Sequence, residues 1–346
     1  MSSIHTFQLD LSWDLVQGLS RVDRFTGEWG SLERREGRDP LRRLKTIATI
    51  QSVGASTRIE GSRLDDDAVD ALLAKLDITK LEDRDQQEVA GYFEAIDIIT
   101  DAYAEIGIGE SEIKHLHKLA LRYSTKDEWH RGGYKQRSNA VEAVMPDGSR
   151  TVVFATTPPG VETEDAMRAL MSWFNKTEHV HPLVRVALFC YELVTIHPFQ
   201  DGNGRISRLV ATLLLMRAGY PWVQYVSFEH EIERRKDAYY RVLRTCQAKR
   251  PGEDATPWVL FFLNCMLALI EKLQAKLHIS EGLSQLNDRA RRIQRFISEH
   301  PGTQAGSIAK ELGLALPTVK KDLDQMVKRG IIDRKGAGRG THYTAA

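Results

Sequence analysis

A chain of 346 residues exceeds the usual single-domain size, so two domains are expected, one large enough for a sizeable core. Its composition, 42% hydrophobic, 27% charged and 8% aromatic, excludes a disordered, collagen-like or membrane-embedded chain. Lys+Arg 48 against Asp+Glu 47 leaves a formal charge of +1, which excludes a uniformly basic nucleic-acid binder and an acidic tail protein. Two unbalanced halves can still cancel.

In chain order, Met1 to Gln8 has no basic segment followed by an apolar core, so no signal peptide is expected. Phe25 to Pro40, rich in Gly, Arg and Glu, reads as a loop. From Leu41 to Thr57 the apolar residues Leu41, Leu44, Ile47, Ile50 and Val53 recur at helical spacing and predict one buried stripe, with a stop near Glu60-Gly61. Further helices are expected over Asp65–Leu76, Gln86–Ala104 and Ser111–Tyr123. Val141–Met145 and Arg150–Phe154 are β-prone runs around Pro146-Asp147-Gly148-Ser149, which is strong turn chemistry. Helices resume over Thr163–Asn175 and Pro182–Thr195; a polar, Gly-containing loop at His197–Gly204 precedes another apolar helix, Arg205–Ala218. Ile232–Cys246 and Pro257–Ala275 complete the large domain.

Within that last helix, Trp258–Ile270 is the most apolar run; it reads as too short for a bilayer and contains Asn264. Cys190, Cys246 and Cys265 are odd in number, distant and without C-x-x-C spacing, so buried, reduced thiols are expected rather than disulfides or structural zinc. A cytoplasmic protein without membrane association follows as an expectation.

The tail differs. Helices over Ala290–Ser298, Gln304–Glu311 and Val319–Arg329 are followed by Ile331–Asp333 and His342–Thr344, which flank the basic Gly-rich loop Arg334–Gly340. Three helices and a hairpin give a winged helix-turn-helix order. From Gln285 onward about twelve Lys/Arg stand against six Asp/Glu, near +6, leaving about −5 for the rest. Lys320, Lys321, Lys328 and Arg329 on the third helix, with Arg334, Lys335 and Arg339 in the wing, suit phosphate contacts in DNA; a basic protein-docking module is the alternative.

The segment that carries chemistry is His197-Pro-Phe-Gln-Asp-Gly-Asn-Gly-Arg-Ile-Ser-Arg208. Gly202-Asn203-Gly204 enters a helix, where backbone N–H groups and the positive helix end make a cradle for anionic oxygens. Arg205 and Arg208, three apart, lie on one helix face and can bind further phosphates. Asp201 cannot bind phosphate directly, but makes sense as a ligand for Mg²⁺ that neutralises a polyphosphate. His197 is a candidate general base near neutral pH, and Phe199 an anchor of the loop in the core.

This segment resembles the Fic family motif H-x-F-x-[DE]-G-N-G-R-x-x-R at every fixed position: His197, Phe199, Asp201, Gly202, Asn203, Gly204, Arg205 and Arg208. The likeness extends over most of residues 40 to 275, including Asp237–Leu243. It implies a mostly α-helical Fic fold with a small β-hairpin flap, followed here by the winged helix, and transfer of AMP from Mg-ATP to a Ser, Thr or Tyr hydroxyl of a protein. The resemblance makes His197 the base, Asp201 the Mg²⁺ ligand, Gly202, Asn203 and Gly204 the α- and β-phosphate cradle, Arg205 a β-phosphate ligand and Arg208 a γ-phosphate ligand. It makes residues 141–154 the flap where a target strand docks, with Val141, Val144, Val152 and Val153 on it. Tyr239 and Tyr240 fall where the family places adenine-pocket residues, and core packing is the other reading of them. Domains are expected at 1–110 (with an inhibitory helix at about 41–61), 111–280 (the Fic core) and 285–346 (the winged helix).

Ser56-Thr57-Arg58-Ile59-Glu60-Gly61 resembles the family's inhibitory motif [ST]-x-x-x-E-[GN]. A Glu60 carboxylate on Arg208 would occupy the guanidinium that the γ-phosphate needs. An autoinhibited enzyme is therefore expected, modifying itself as well as a partner and forming a homodimer. A nucleotide-sensing transcriptional regulator and a bifunctional enzyme that also removes AMP are the alternatives. Doc-type kinases, which carry Lys where Gly204 stands, are disfavoured; phosphocholine transfer stays open.

Overall fold

The computed structural model describes residues 7–81, 83–144, 150–284 and 286–345; at residues 140–144, 150–153, 279–284 and 339 only the backbone is described. The expected turn at 146–149 therefore lies outside the described residues, as do the side chains of Val141, Val144, Val152, Val153 and Arg339. The chain divides into two compact units, Met1–Leu32 with Leu41–Ile270 and Glu33–Pro40 with Glu271–Ala346.

The elements are α1 (Trp13–Glu36), α2 (Arg38–Ile59), α3 (Asp66–Ala74), α4 (Arg84–Ala102), α5 (Glu110–Ala120), β1 (Ala140–Val144), β2 (Arg150–Ala155), α6 (Val161–Lys176), α7 (Pro182–Ile196), α8 (Asn203–Arg217), α9 (Phe228–Arg234), α10 (Lys236–Gln247) and α11 (Thr256–Ser284). Then follow α12 (Asp288–Glu299), α13 (Ala305–Leu312), α14 (Leu316–Lys328), β3 (Ile332–Lys335) and β4 (His342–Ala345). The mostly helical fold with a small hairpin is as expected from the sequence.

The first unit is built on α7 and α8. Pro182 begins α7 where its missing N–H costs nothing. Every residue from Val186 to Ile196 is then buried. In α8 the burial runs unbroken from Arg205 to Met216. Helices this buried on all sides belong at a centre, and α7 packs on α6 and α8 while α8 also packs on α4 and α5. The loop joining the two central helices is the motif segment.

The expected loop at Phe25–Pro40 is corrected to helix. Leu15, Gly18, Val22, Phe25 and Trp29 recur at three- and four-residue spacing and are buried, a stripe that Gly27 and Gly30 mask in the sequence. Phe25 meets Trp222 edge-on at 5.1 Å, and Trp222 Nε1 donates to Thr26 Oγ1 at 3.0 Å. The α2 stripe is also corrected. Leu41 and Val53 are buried, yet Ile47 is 47% exposed, and small residues, Ala48, Ser52, Gly54, Ala55 and Ser56, fill the buried side. The predicted helix Ile232–Cys246 is two helices, α9 and α10, broken at Arg235.

The apolar run near residue 260 belongs to a longer helix than expected. Thr256–His278 is long and apolar enough to cross a membrane by length and composition alone, which corrects the reading from the shorter run. In this fold Trp258, Cys265, Met266 and Leu269 are core residues, and Trp258 Nε1 donates to Ala187 O at 2.7 Å. All three cysteines are buried free thiols.

Strands β1 and β2 are antiparallel, pairing Val141 with Phe154, Glu142 with Val152 and Val144 with Arg150. The register shifts after Val141, so Val153 sits at a bulge. In the second unit α12, α13 and α14 enclose Ile293, Ile297, Ile308, Val319, Leu323 and Met326, closed by Ile331, Ile332 and Tyr343 of the β3–β4 hairpin region.

Candidate active site

Residue His197 caps the C-terminus of α7 in the left-handed conformation, φ 55° and ψ 58°, the one non-glycine residue at positive φ among the described residues. Its Nδ1 lies 3.3 Å from Val194 O. A carbonyl can only accept, so the proton sits on Nδ1 and Nε2 keeps its lone pair. Burial pushes the imidazole below its ordinary range; the Lys135 charge adds to this, against the Val194 carbonyl, Glu60 and Asp201. The ring is thus neutral and ready to accept a proton at neutral pH.

The loop between the helices is held by its own polar groups. Asn203 Oδ1 accepts from Phe199 N at 2.9 Å, and its Nδ2 donates to Phe199 O at 2.8 Å. The Asn203 side chain is thereby committed to bracing the loop. Phe199 is fully buried, as its anchoring role requires, and His117 stacks on it at 3.9 Å and 8°. His117 Nδ1 accepts from Gly132 N at 2.8 Å, so Nε2 donates to Asp201 O at 3.0 Å. Burial lowers its pKa to about 4, which keeps that bonding pattern through neutral pH. Gly202 adopts φ 78° as the N-cap of α8, a conformation glycine takes without strain.

The two motif arginines have different partners. Arg205 is buried; its Nη1 lies 3.0 Å from Glu88 Oε2 and its Nη2 3.6 Å from Asp201 Oδ1. Arg84 joins the same cluster, donating to Glu88 Oε1 at 2.6 Å and to Asp201 Oδ2 at 3.2 Å. Burial opposes ionisation of Asp201, but Arg205, the Gly202 N–H and Arg84 outweigh it and hold the carboxyl below its usual range. Asp201 is 42% exposed. Among the described residues no three metal-ligating side chains gather.

Arg208 is buried, and its Nε donates to Ser56 Oγ at 2.8 Å while Nη2 donates to Ser56 O at 2.9 Å and Glu60 Oε1 at 2.7 Å. Burial would raise the Glu60 pKa, yet Arg208 lowers it on balance and its own pKa rises. The pair is thus ionised on both sides. A Cβ built on Gly204 would overlap Glu60 Oε1, so the glycine makes room for the carboxylate.

Local chain geometry fixes Glu60. Gly61 N donates to Arg58 O and Ser62 N to Thr57 O, both at 3.1 Å, with Gly61 at φ 109°. This is a Schellman turn, which places Glu60 at the C-cap of α2 and explains the glycine after it. Arg58 grips Glu233 through Nε at 2.7 Å and Nη2 at 3.0 Å, and Lys236 Nζ donates to Ile59 O at 2.7 Å. Beneath the helix, Tyr92 donates to the buried Glu229 at 3.1 Å.

A pocket of about 150 Å³ opens beside the pair, lined by Glu60, His197, Gly204, Arg208, Tyr239 and Tyr240 among others. Tyr239 is 5% exposed and packs edge-on against Tyr240 and beside Trp258, so its ring serves the core and the pocket wall together. Tyr240 is half-buried. Sequence reading missed Lys135, Glu88, Arg84 and His117, which no motif marks; each meets the loop only through the tertiary fold.

The Fic/DOC family model matches residues 107–215. The chain is 29% identical over 260 residues to a Drosophila melanogaster protein named Protein adenylyltransferase Fic, covering 73% of this chain and 48% of that protein. A Drosophila yakuba protein of the same name is 30% identical over 235 residues, covering 66% and 43%. The chain thus spans about half the length of these relatives. Among solved structures, a Fic family protein from Desulfovibrio desulfuricans aligns with TM-score 0.65 and 25% identity, over 99% of this chain and 98% of that one. A Fic domain containing signaling protein from Bacteroides thetaiotaomicron aligns with TM-score 0.61 and 25% identity, over 77% and 97%.

Proposed function

We propose that this Fic domain transfers AMP from ATP to a hydroxyl side chain of a protein, itself included, and that Glu60 holds the transfer in check. The observation that carries the reading is one pocket lined by an unprotonated His197 Nε2, the Gly204 entrance to α8 and an Arg208 already bound to a carboxylate. The names of the Drosophila relatives support the same chemistry.

In this reading the phosphates lie over the N-terminus of α8, where the N–H groups at 203 and 204 and the helix dipole face them, while the Gly202 N–H holds Asp201. Arg208 binds the terminal phosphate and so sets the α-phosphate in line with the incoming hydroxyl. His197 Nε2 takes the hydroxyl proton as the new oxygen–phosphorus bond forms. The α–β phosphoanhydride bond breaks, and pyrophosphate leaves. Asp201, ionised and partly exposed, would hold Mg²⁺ with ligands from the nucleotide and water, where the ion would neutralise phosphate charge. Tyr239 and Tyr240 wall the base end. The target segment adds as a strand to the β1–β2 hairpin, whose two strands are both edges among the described residues.

With Glu60 on Arg208, two anions, the carboxylate and the terminal phosphate, compete for one guanidinium. Removing the carboxylate frees it. Intact mass spectrometry after incubation with Mg-ATP is expected to show AMP added to Glu60→Gly about 100-fold faster than to the wild type, a difference of ~2.7 kcal/mol. His197→Ala in that background should add none. Equal, slow labelling of all three chains would sink the reading.

The second unit supports a separate role. Lys320, Lys321, Lys328 and Arg329 are exposed on or beside α14, with Arg334 and Lys335 on β3, while Asp322 is turned inward onto Arg289 at 2.7 Å. We infer a winged helix with a cationic face for duplex DNA. Retardation of DNA that weakens as salt rises tests this, and salt-independent behaviour counts against it.

A further inference from the structure

Residue Lys135 lies in the segment before β1 and is 2% exposed. Its ammonium has three protons, and the fold supplies three acceptors: Asn139 Oδ1 at 3.0 Å, Thr156 Oγ1 at 2.9 Å and Ile196 O at 3.3 Å. Its backbone N–H donates to Pro198 O at 2.8 Å. Ile196 and Pro198 are the neighbours of His197 on either side. Asn139 precedes β1 and Thr156 follows β2. Asn139 Nδ2 also donates to Phe199 O at 2.9 Å, and Thr156 Oγ1 donates to Asn139 O at 2.6 Å.

A buried ammonium held only by neutral oxygens is an expensive way to join loops. No ion pair to Lys135 occurs among the described residues, and burial lowers its pKa to about 8. An apolar residue could fill the space at lower cost, so the charge needs a reason. Its surroundings supply one.

We propose that Lys135 is the positioning residue for His197, binding the feet of the β1–β2 hairpin to the backbone on both sides of the base. The brace holds His197 in its left-handed conformation and registers the hairpin against the imidazole. The same charge disfavours a protonated ring. The charged groups facing His197 are Lys135 from this segment, Glu60 from the end of α2 and Asp201 from its own loop, with Arg208 of α8 and Arg244 of α10 lining the shared pocket. Lys135 opposes Glu60 and Asp201. Once it loses its proton above about pH 8, the amine can no longer donate to all three oxygens, and the brace loosens.

The proposal rests on His197 as the base, and its test separates the two. In full-length Glu60→Gly protein, Lys135→Gln should lower AMP-transfer turnover about 30-fold while KM for Mg-ATP stays within about twofold. Lys135→Arg should restore turnover to within about threefold and remove the basic limb above about pH 8, since guanidinium keeps its charge. By NMR of labelled histidine, assigned with His197→Ala, the His197 pKa should rise by ~0.5–1 unit in Lys135→Gln and stay put in Lys135→Arg. Thr156→Val leaves the charge and cuts one strut, so it should lower turnover with the His197 pKa unchanged; it carries the test if Lys135→Gln does not fold. Full turnover in Thr156→Val overturns the proposal, as does an unmoved His197 pKa in Lys135→Gln or a raised KM at constant turnover. The NMR titration reports on Lys135 even if no AMP transfer occurs, a result that would count against the proposed reaction alone.

Discussion

Two arginine–glutamate pairs stand one helical turn apart on α8, and they are built for opposite ends. Arg205 and Glu88 expose 2% and 6% of their side chains, and Glu88 is shared with Arg84. Arg208 is as buried at 3%, but Glu60 is 32% exposed and sits at a helix terminus, held by a turn rather than enclosed by a core. Removing one partner of an enclosed pair strands a charge where water cannot reach it. Removing Glu60 leaves a guanidinium that still binds Ser56 and faces an open pocket. The first pair is fixed architecture, and the second is a contact that another anion can replace.

The comparison can be broken by stability measurements. Glu88→Ala should cost about 3–5 kcal/mol in denaturant unfolding and abolish transfer through the loop. Glu60→Gln should cost no more than ~1 kcal/mol while releasing transfer. Equal losses in the two variants would mean that Glu60 is structural as well. Next in size, Ser56→Ala removes one of three hydrogen bonds on Arg208 and leaves those to Ser56 O and Glu60. A loss of ~1 kcal/mol from the braked state should raise wild-type transfer about fivefold, read by AMP incorporation. No increase would place the whole restraint in the carboxylate.

The smallest effect expected is on pH dependence. Glu60 ionises below its ordinary range because Arg208 outweighs its burial. Its contribution is therefore present above the unfolded value of about 4.3 and is lost only as pH falls through the lower folded value. Between pH 5 and 8 the ratio of Glu60→Gly to wild-type transfer should stay constant. A wild type that wakes at pH 5 to 6 would show the carboxylate is not held as the geometry says. His197, with its pKa lowered, must lose its proton to act, so the acid limb of transfer should lie below about 6.5 in both chains.

The motif loop and Glu60 were legible in the sequence because their chemistry crowds into short segments, with glycines where the chain turns. The partners were not. Lys135 meets Ile196 across 61 positions, and His117 meets Asp201 across 84, so only the packing of α5 and the hairpin feet against the α7–α8 loop brings them there. Helix α1 was hidden for a local reason: Gly27 and Gly30 interrupt a stripe whose anchors are Phe25 and Trp29. The α2 stripe misled because close packing against neighbours favours Ala48, Ser52 and Ala55 over the larger Ile47. A hydrophobicity pattern reads size as burial, and here the reverse holds.

The left-handed backbone at His197 sets the fold against its own chemistry. An L-residue there costs on the order of 1 kcal/mol relative to glycine. A glycine there would relieve the backbone and remove the proposed proton acceptor. At this one position the backbone and the proposed transfer therefore favour different residues, glycine for the turn and histidine for the proton.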